Sequence, residues 1–472
     1  MIEGLRPYPE MIATGSEWLP AIPTHWETRR VKTVLKEVDR RTTTGEERLL
    51  SLRMIAGLVG HHDAGGRPIP PNALIGFKKI ETGQIVMNRM RAASGLFGVA
   101  DEPGLVSPDY AVFSELVDAD RQYLLRLFKT PAMGAIFRSE SKGLGTGQSG
   151  FLRLYTDRFG SIRIPLPPLD EQRLIVRFLD WHDAMTGKLI RAKRRLVVLL
   201  NEQKQSIIHR AVTRGLDPAA KLKPSGVDWL GDVPEHWEVK RLKFACQVNP
   251  RTSTADAGER VTFLPMENVG ATGHVDYSIQ RSIDEVSTGY TLFQQCDVIL
   301  AKITPCFENG KGAILSELPT TIGYGSTEFI VLRPHQAMRA DYAYLLTVDP
   351  VFRLRGTEAM TGSAGQQRVS PDFVANWIIA LPPEAEQAAI RTFIHDHTSE
   401  FDAAINKVQS EITFIQEFRT RLIADVVTGQ LDVRTLVASL PEVAEADVIG
   451  DLTDEDDLDE DADALIDAEE AA

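Results

Sequence analysis

Two stretches of the chain place mostly apolar residues at alternating steps of three and four. After Pro168 they are Ile175, Phe178, His182, Met185, Leu189, Ala192, Leu196, Leu199 and Gln203; after Pro383 they are Phe401, Ile405, Val408, Ile412, Ile415, Arg419, Leu422 and Val426. A sustained 3-4 spacing is the seam of a coiled coil, and it predicts long helices over 169–214 and 384–429. From Leu169 to Thr213 such a helix extends about 67 Å. A lone helix of that length cannot bury its stripe, so each is expected to pack on the other, antiparallel. Gly215 and Gly429 stand where a helix stop is expected.

Elsewhere the pattern shortens to strands. "GQIVMNRMRAASGLFGVA" (Gly83 to Ala100) and "CDVILAKITPCFENGKGAILSE" (Cys296 to Glu317) each read as strand, glycine-bearing loop, strand. "DYAVFSEL" and "TEFIVLRP" are further strands, rich in β-branched and aromatic residues. "RQYLLRLFKTPAMGAIF" and "DYAYLLTVDPVFRL" begin as helices and are broken at Pro131 and Pro350. The strands "IRIPLPP" and "IIALPP" end in prolines that cannot continue them. The predicted class is α+β. A first domain over 1–168 leads into the helix 169–214, and a second domain over 215–383 leads into the helix 384–429.

These halves are one unit written twice. From Trp18 to Lys32, 8 of 15 positions are identical to Trp229 to Lys243, including the Pro-x-His-Trp of Pro23 to Trp26 and Pro234 to Trp237. "LPPLDEQ" (Leu166 to Gln172) matches "LPPEAEQ" (Leu381 to Gln387), and "TGQSGFLRL" (Thr146 to Leu154) matches "TGSAGQQRV" (Thr361 to Val369). Trp18, Trp26, Trp229 and Trp237 are expected to pin each domain to a helix junction, because large aromatics beside prolines usually pack.

Charge changes the picture at one end. The net charge is −14, yet residues 442–472 hold 15 Asp or Glu and no Lys or Arg, so the rest of the chain sums to −14 + 15 = +1. Residues 430–472 thus read as an acidic tail that cannot bury a core, either solubilising the chain or shielding a basic surface. The first long helix is basic, with Lys188, Arg191, Lys193, Arg194, Arg195, Lys204, Arg210 and Arg214 against Glu202 alone between 186 and 214. Three cysteines without a CxxC exclude a disulfide framework and the common structural zinc sites. No stretch of 18 apolar residues and no leader-like start occur, so a cytoplasmic protein is expected.

The order Trp-x(4)-Pro-x-His-Trp, variable domain, Leu-Pro-Pro-x(3)-Gln and long helix, then the same again, resembles the specificity subunit of type I restriction-modification systems. "ITPCFENGKGAIL" (Ile303 to Leu315) is similar to a phrase of that family's target recognition domains. The resemblance implies two target recognition domains, each reading one half of a bipartite, non-palindromic sequence in double-stranded DNA. It implies that the helices are spacer and docking surface for two modification (M) subunits, which bind S-adenosylmethionine and methylate adenine N6. Restriction (R) subunits, which use ATP and Mg, would join them. On this reading the chain itself is not an enzyme and carries no cofactor or metal.

The chain's own chemistry fits that division. No phosphate-binding G-x(4)-G-K-[ST] loop is present, nor the Asn/Asp-Pro-Pro-aromatic tetrapeptide of amino-methyltransferases. A loose nuclease pattern, Pro108-Asp109 followed by Glu140-Ser141-Lys142, has no carboxylate or lysine at the matching place in the second half, Arg355 to Thr357. Reading DNA takes donors at base edges and cations on phosphates. The candidates are Arg89, Arg91, Thr146, Gln148, Ser149 and Arg153 in the first domain. In the second they are Lys302, Lys311, Thr361, Ser363, Gln366, Gln367 and Arg368. Arg153 and Arg368 are equivalent and are assigned to phosphates; positions that differ between halves are assigned to bases. The same glycine loops would equally serve to turn the chain toward its last strand.

Overall fold

The computed structural model describes residues 5–144, 151–251, 258–363 and 366–441. The chain falls into two units. Unit 1 comprises residues 1–194 and 410–472, and unit 2 comprises 195–409. The long helices belong partly to each.

In unit 1 the strands β1 (Leu35–Glu37), β2 (Ile85–Asn88), β3 (Phe97–Val99) and β4 (Tyr110–Glu115) form an antiparallel sheet in the order β1-β4-β2-β3. Val86 and Val112 lie fully buried on one face. On the other, Phe97 meets Phe128, Phe137 and Phe159 at ring-centroid distances of 5.3, 5.4 and 6.0 Å. Phe128 and Phe137 come from α1 (Arg121–Phe128) and α2 (Pro131–Glu140). The predicted break at Pro131 is the start of α2. Proline occupies a first-turn position, where its missing N–H costs nothing, and the Thr130 hydroxyl caps the Met133 amide. The short strand β5 (Phe151–Arg153) pairs with Lys142–Leu144. The helix α3 (Leu169–Arg214) follows.

Unit 2 repeats the plan. Its strands β6 (Cys246–Val248), β7 (Val298–Ala301), β8 (Gly312–Ile314) and β9 (Phe329–Pro334) take the same order, β6-β9-β7-β8. The helices α4 (Ala340–Val348) and α5 (Pro350–Glu358) follow, with Asp349 capping α5, and then α6 (Glu384–Val427). The units differ in what is added. Unit 2 has a second four-stranded sheet, built on Arg260–Leu264 and Ile322–Gly325, which pair in parallel. Unit 1 has instead a hairpin, Leu50–Arg53 with Gly57–Gly60, and the pair Lys78–Ile80 with Gly104–Val106.

The repeated motifs build each unit's junction with the long helices. Gln172 is 1% exposed and Gln387 fully buried. The Gln172 carboxamide donates to the Pro167 carbonyl at 2.8 Å and accepts from the Asp120 amide, the cap of α1, at 2.8 Å. Gln387 donates to Pro382 at 2.9 Å and accepts from the Arg339 amide, the cap of α4, at 2.9 Å. His25 pairs with Glu171 at 2.7 Å and His236 with Glu386 at 2.8 Å. Trp26 packs against Gly429 in unit 1 and Trp237 against Gly215 in unit 2; both glycines have left-handed φ, +75° and +71°. A side-chain carbon at 429 would stand 2.5 Å from Pro23 and 2.9 Å from Trp26, so the helix end needs glycine for space as well as conformation. The buried Tyr123 hydroxyl donates toward the carbonyls of Pro165 and Val427, and Tyr342 toward those of Ala380 and Val212. In unit 1 the start of the chain closes onto the segment after α6, where the Asp432 amide donates to the Arg6 carbonyl at 2.8 Å.

Within each unit the two long helices run antiparallel. Lys193 pairs with Glu411, and Asp183 accepts from Arg419, in unit 1; Lys204 pairs with Asp402 in unit 2. The expected seam holds at its outer parts, where Ile175, Phe178, His182, Leu422 and Val426 are buried. On the middle of α3 it does not. Met185, Leu189, Leu196 and Leu199 are 41, 46, 44 and 43% exposed. There Ile190, one position round the helix from Leu189, is buried instead. An α-helix turns every 3.6 residues, so a stripe spaced at 3.5 drifts off the contact face. Among the described residues no helix is long and apolar enough to cross a membrane.

One contact of unit 2 has a pH signature. His209 pairs with Asp349 at 2.8 Å, which holds its pKa above the ordinary 6.5 despite opposing burial and Arg214. A raised folded-state value stabilises the fold below the unfolded pKa, and the gain is lost as pH rises through the folded one. The stability difference between the wild-type chain and His209→Gln is therefore expected to be larger at about pH 5.5 than at about pH 8.5. Denaturant titrations at the two pH values measure it; an equal difference at both contradicts the assignment.

Candidate nucleic-acid interface

Among the described residues, the sequence candidates of each unit gather where a central strand ends and a loop begins. In unit 2 this place is built from two loops. The first, Lys302 to Lys311, connects β7 to β8; the second, Thr361 to Arg368, follows α5. Backbone bonds zip them together. The Thr304 amide donates to the Gln367 carbonyl at 3.0 Å, and the Val369 amide to the Lys302 carbonyl at 2.9 Å. Within the second loop, Thr361 and Arg368 exchange two backbone bonds, at 3.1 and 2.9 Å. This leaves the Thr361, Ser363, Gln366 and Gln367 side chains exposed. Lys302 is partly exposed beside them, and Lys311, at the far end of the first loop, donates weakly to the Met266 carbonyl at 3.4 Å.

Unit 1 has the same root. The Leu154 amide donates to the Arg89 carbonyl at 2.9 Å, the counterpart of the Val369–Lys302 bond. Arg91 lies partly exposed on the loop that follows. Thr146, Gln148 and Ser149 lie outside the described residues.

Three of the candidate cations are tied to carboxylates within their own unit. Arg89 donates to Glu37 and, at 3.3 Å, to the Thr156 hydroxyl; its side chain is mostly buried. Arg153 donates to Asp109 at 2.7 Å and lies over the Tyr155 ring at 5.6 Å. Arg368 grips Glu328 through Nε and Nη2, at 3.0 and 2.8 Å, and donates to the Gln366 carbonyl at 2.9 Å. The Arg368 guanidinium, with help from Lys302, holds the Glu328 carboxyl below its ordinary value against partial burial. Asp109 and Glu328 are equivalent, each standing just before the sheet strand β4 or β9. The two units thus carry the same arginine–carboxylate pair, tying the end of the second loop to the sheet. Sequence reasoning found the arginines and missed the carboxylates. The signal was present, because 328 − 109 = 219 is also the spacing between Tyr123 and Tyr342.

The nuclease pattern does not assemble. Asp109 is engaged by Arg153, and Glu140 faces Arg158 at 3.6 Å. Among the described residues no group of three His, Cys, Asp or Glu is placed to hold a metal ion.

Residues 74–198, the span from the sheet of unit 1 into α3, match the model of the type I restriction modification DNA specificity domain. The chain is similar in sequence to specificity subunits of type I restriction enzymes. It is 39% identical over 162 residues to the EcoEI specificity subunit of Escherichia coli, which is 34% of this chain and 27% of that protein. The similarity to the MjaVIII specificity subunit of Methanocaldococcus jannaschii is 22% over 314 residues, covering 64% and 68%. The chain thus matches only about a quarter of the length of the EcoEI subunit. A solved chain from a type I R-M system, described for its complex assembly and conformational transition, shares the fold with a TM-score of 0.60 and 14% identity, over 86% of this chain and 98% of that one.

The root of the loop in unit 1 is open to a direct check. Arg153 is mostly buried and Asp109 half-exposed, so a double-mutant cycle of Arg153→Met and Asp109→Asn is expected to give a coupling of about 1 kcal/mol. Chemical denaturation of the four proteins reads it, and additive effects would show that the pair does not hold the loop.

Proposed function

We propose that the chain is the DNA-reading and scaffolding subunit of a type I restriction-modification complex, working in the cytoplasm and without catalysis of its own. Unit 1 and unit 2 each read one half of a bipartite, non-palindromic target in double-stranded DNA. The observation that carries this is a common loop root bearing different side chains. Both units fix the same loop by the same backbone bond and the same arginine–carboxylate pair. What they present from it differs in sequence, with Gln148 standing where unit 2 has Ser363. A shared frame with unlike side chains suits two unlike half-sites.

The charge roles divide accordingly. Exposed hydroxyls and amides of Thr361, Ser363, Gln366 and Gln367 supply the base-edge donors and acceptors, with Thr146, Gln148 and Ser149 as their unit 1 counterparts. Lys302, Lys311 and Arg91 supply phosphate contacts, and Arg89, Arg153 and Arg368 position the loops that carry them. Two M subunits, with S-adenosylmethionine, dock on the long helices. Supporting this are the half-exposed Met185 and Leu189 of α3 in unit 1, Leu196 and Leu199 in unit 2, and Phe414 of α6, which is 68% exposed. Apolar rows left open along a helix are what a partner helix covers. R subunits, with ATP and Mg, complete the restriction complex.

The test is a map of methylated adenines in cells carrying the whole system, with and without this gene. The expected result is one asymmetric motif, in two specified parts separated by an unspecified gap, that vanishes with the gene. A motif that persists without the gene would refute the proposal.

A further inference from the structure

The helices α2 and α5 lie behind the reading loops, and the same two positions on each are filled in opposite ways. Matched at the spacing of 219, Gly134 of α2 corresponds to Arg353 of α5, and Phe137 to Gly356. In unit 1 the loop between β2 and β3 rests directly on the bare backbone of Gly134, where a side-chain carbon would stand 2.7 Å from the Ala93 carbonyl oxygen. One turn on, Phe137 fills the core against Phe97 and Phe159.

In unit 2 the loop between β7 and β8 has 10 residues, Lys302 to Lys311, against 8 in unit 1, Arg89 to Leu96. The longer loop supplies its own ring. Phe307 is fully buried over Gly356, where a side-chain carbon would stand 2.3 Å from its ring. Arg353 then holds it twice, with Nη1 donating to the Phe307 carbonyl at 2.6 Å and the guanidinium carbon 4.7 Å from the ring centroid. Arg353 is 8% exposed, no carboxylate pairs with it, and its Nε and Nη2 have no partner among the described residues. Burial pushes its pKa down to about 10. A buried cation without a carboxylate is costly, and the bond it does make goes to the loop. The Thr304 amide and hydroxyl pass the constraint on, both donating to the Gln367 carbonyl, at 3.0 and 3.1 Å.

We infer that Arg353, acting through Phe307, is a positioning residue for recognition by unit 2, and that Gly134 and Phe137 do the same work in unit 1 by direct packing. Arg353 touches no base. It fixes the backbone from which Lys302, Gln366 and Gln367 reach, so it sets discrimination in one half-site only. The inference rests on the DNA-reading function proposed above.

The test uses Arg353→Met in the full chain, assembled with its M subunits, and reads methylation of duplexes carrying single-base changes in either half of the wild-type motif. Methionine keeps most of the buried volume and removes a charge with two unpaired donors, so the melting temperature is expected to hold or rise. Discrimination is expected to fall about tenfold in one half-site, the worth of one charged hydrogen bond, and to stay unchanged in the other. Arg353→Lys, which can still donate to the carbonyl but cannot lie flat on the ring, is expected to lose less. Should the methionine variant not fold, Phe307→Leu replaces it, with a smaller loss in the same half. Wild-type discrimination in both halves, or equal losses in both, would overturn the inference while leaving DNA recognition intact. A wild-type complex that methylates no bipartite motif would remove the reading on which it rests.

Discussion

Each unit hangs on one buried carboxamide. Gln172 and Gln387 sit in the first turn of a long helix, satisfied on both sides by backbone groups. Their donors hold the proline-ended strand that leaves the domain. Their acceptors hold the cap of the helix that follows the sheet. Unpaired, a buried amide costs on the order of 1–3 kcal/mol, so neither group can shift without the other. This fixes the exit of the long helix relative to the sheet within its unit. The Trp–glycine contact then fixes the end of the other long helix in the same place. The loop at the rim of the sheet is thereby referred to the helices through hydrogen bonds and packed rings.

The same economy explains the arginines. A cation meant for phosphate should be free to leave its partner, whereas Arg89, Arg153 and Arg368 are held by carboxylates and, in part, by burial. They stiffen the loops. On the function proposed above, contact with DNA would fall to the exposed amides, hydroxyls and lysines, which have little to give up on binding. Arg353 extends the pattern inward, since a second guanidinium in unit 2 holds the far loop by its carbonyl.

Much of this was legible in the sequence, because it is written twice. The Pro-x-His-Trp and Leu-Pro-Pro-x(3)-Gln phrases marked the junction residues, and the His–Glu, Gln–backbone and Trp–glycine contacts recur in both units, although only the Trp237 indole donates to its glutamate. The proline breaks at Pro131 and Pro350 marked real helix starts. What stayed hidden came from residues distant in sequence. Asp109 lies 44 positions from Arg153, and Glu328 lies 40 from Arg368, and no periodicity links such pairs. The middle of α3 misled for a different reason. A 3-4 spacing describes where apolar residues recur, and the Lys193–Glu411 and Lys204–Asp402 pairs, together with Ile190, put the contact on the adjacent face. The clamp by Arg353 was invisible because its counterpart is a glycine, and unlike residues at matched positions do not announce a shared task.

The central claim is that the two units read separately. Residues 15–165 of this chain can be exchanged for the matching segment of a relative with a different target, and the methylated adenines of cells carrying the hybrid system sequenced. The account predicts a motif in which one half-site is the donor's and the other is unchanged. A hybrid that is active but altered in both half-sites would contradict it.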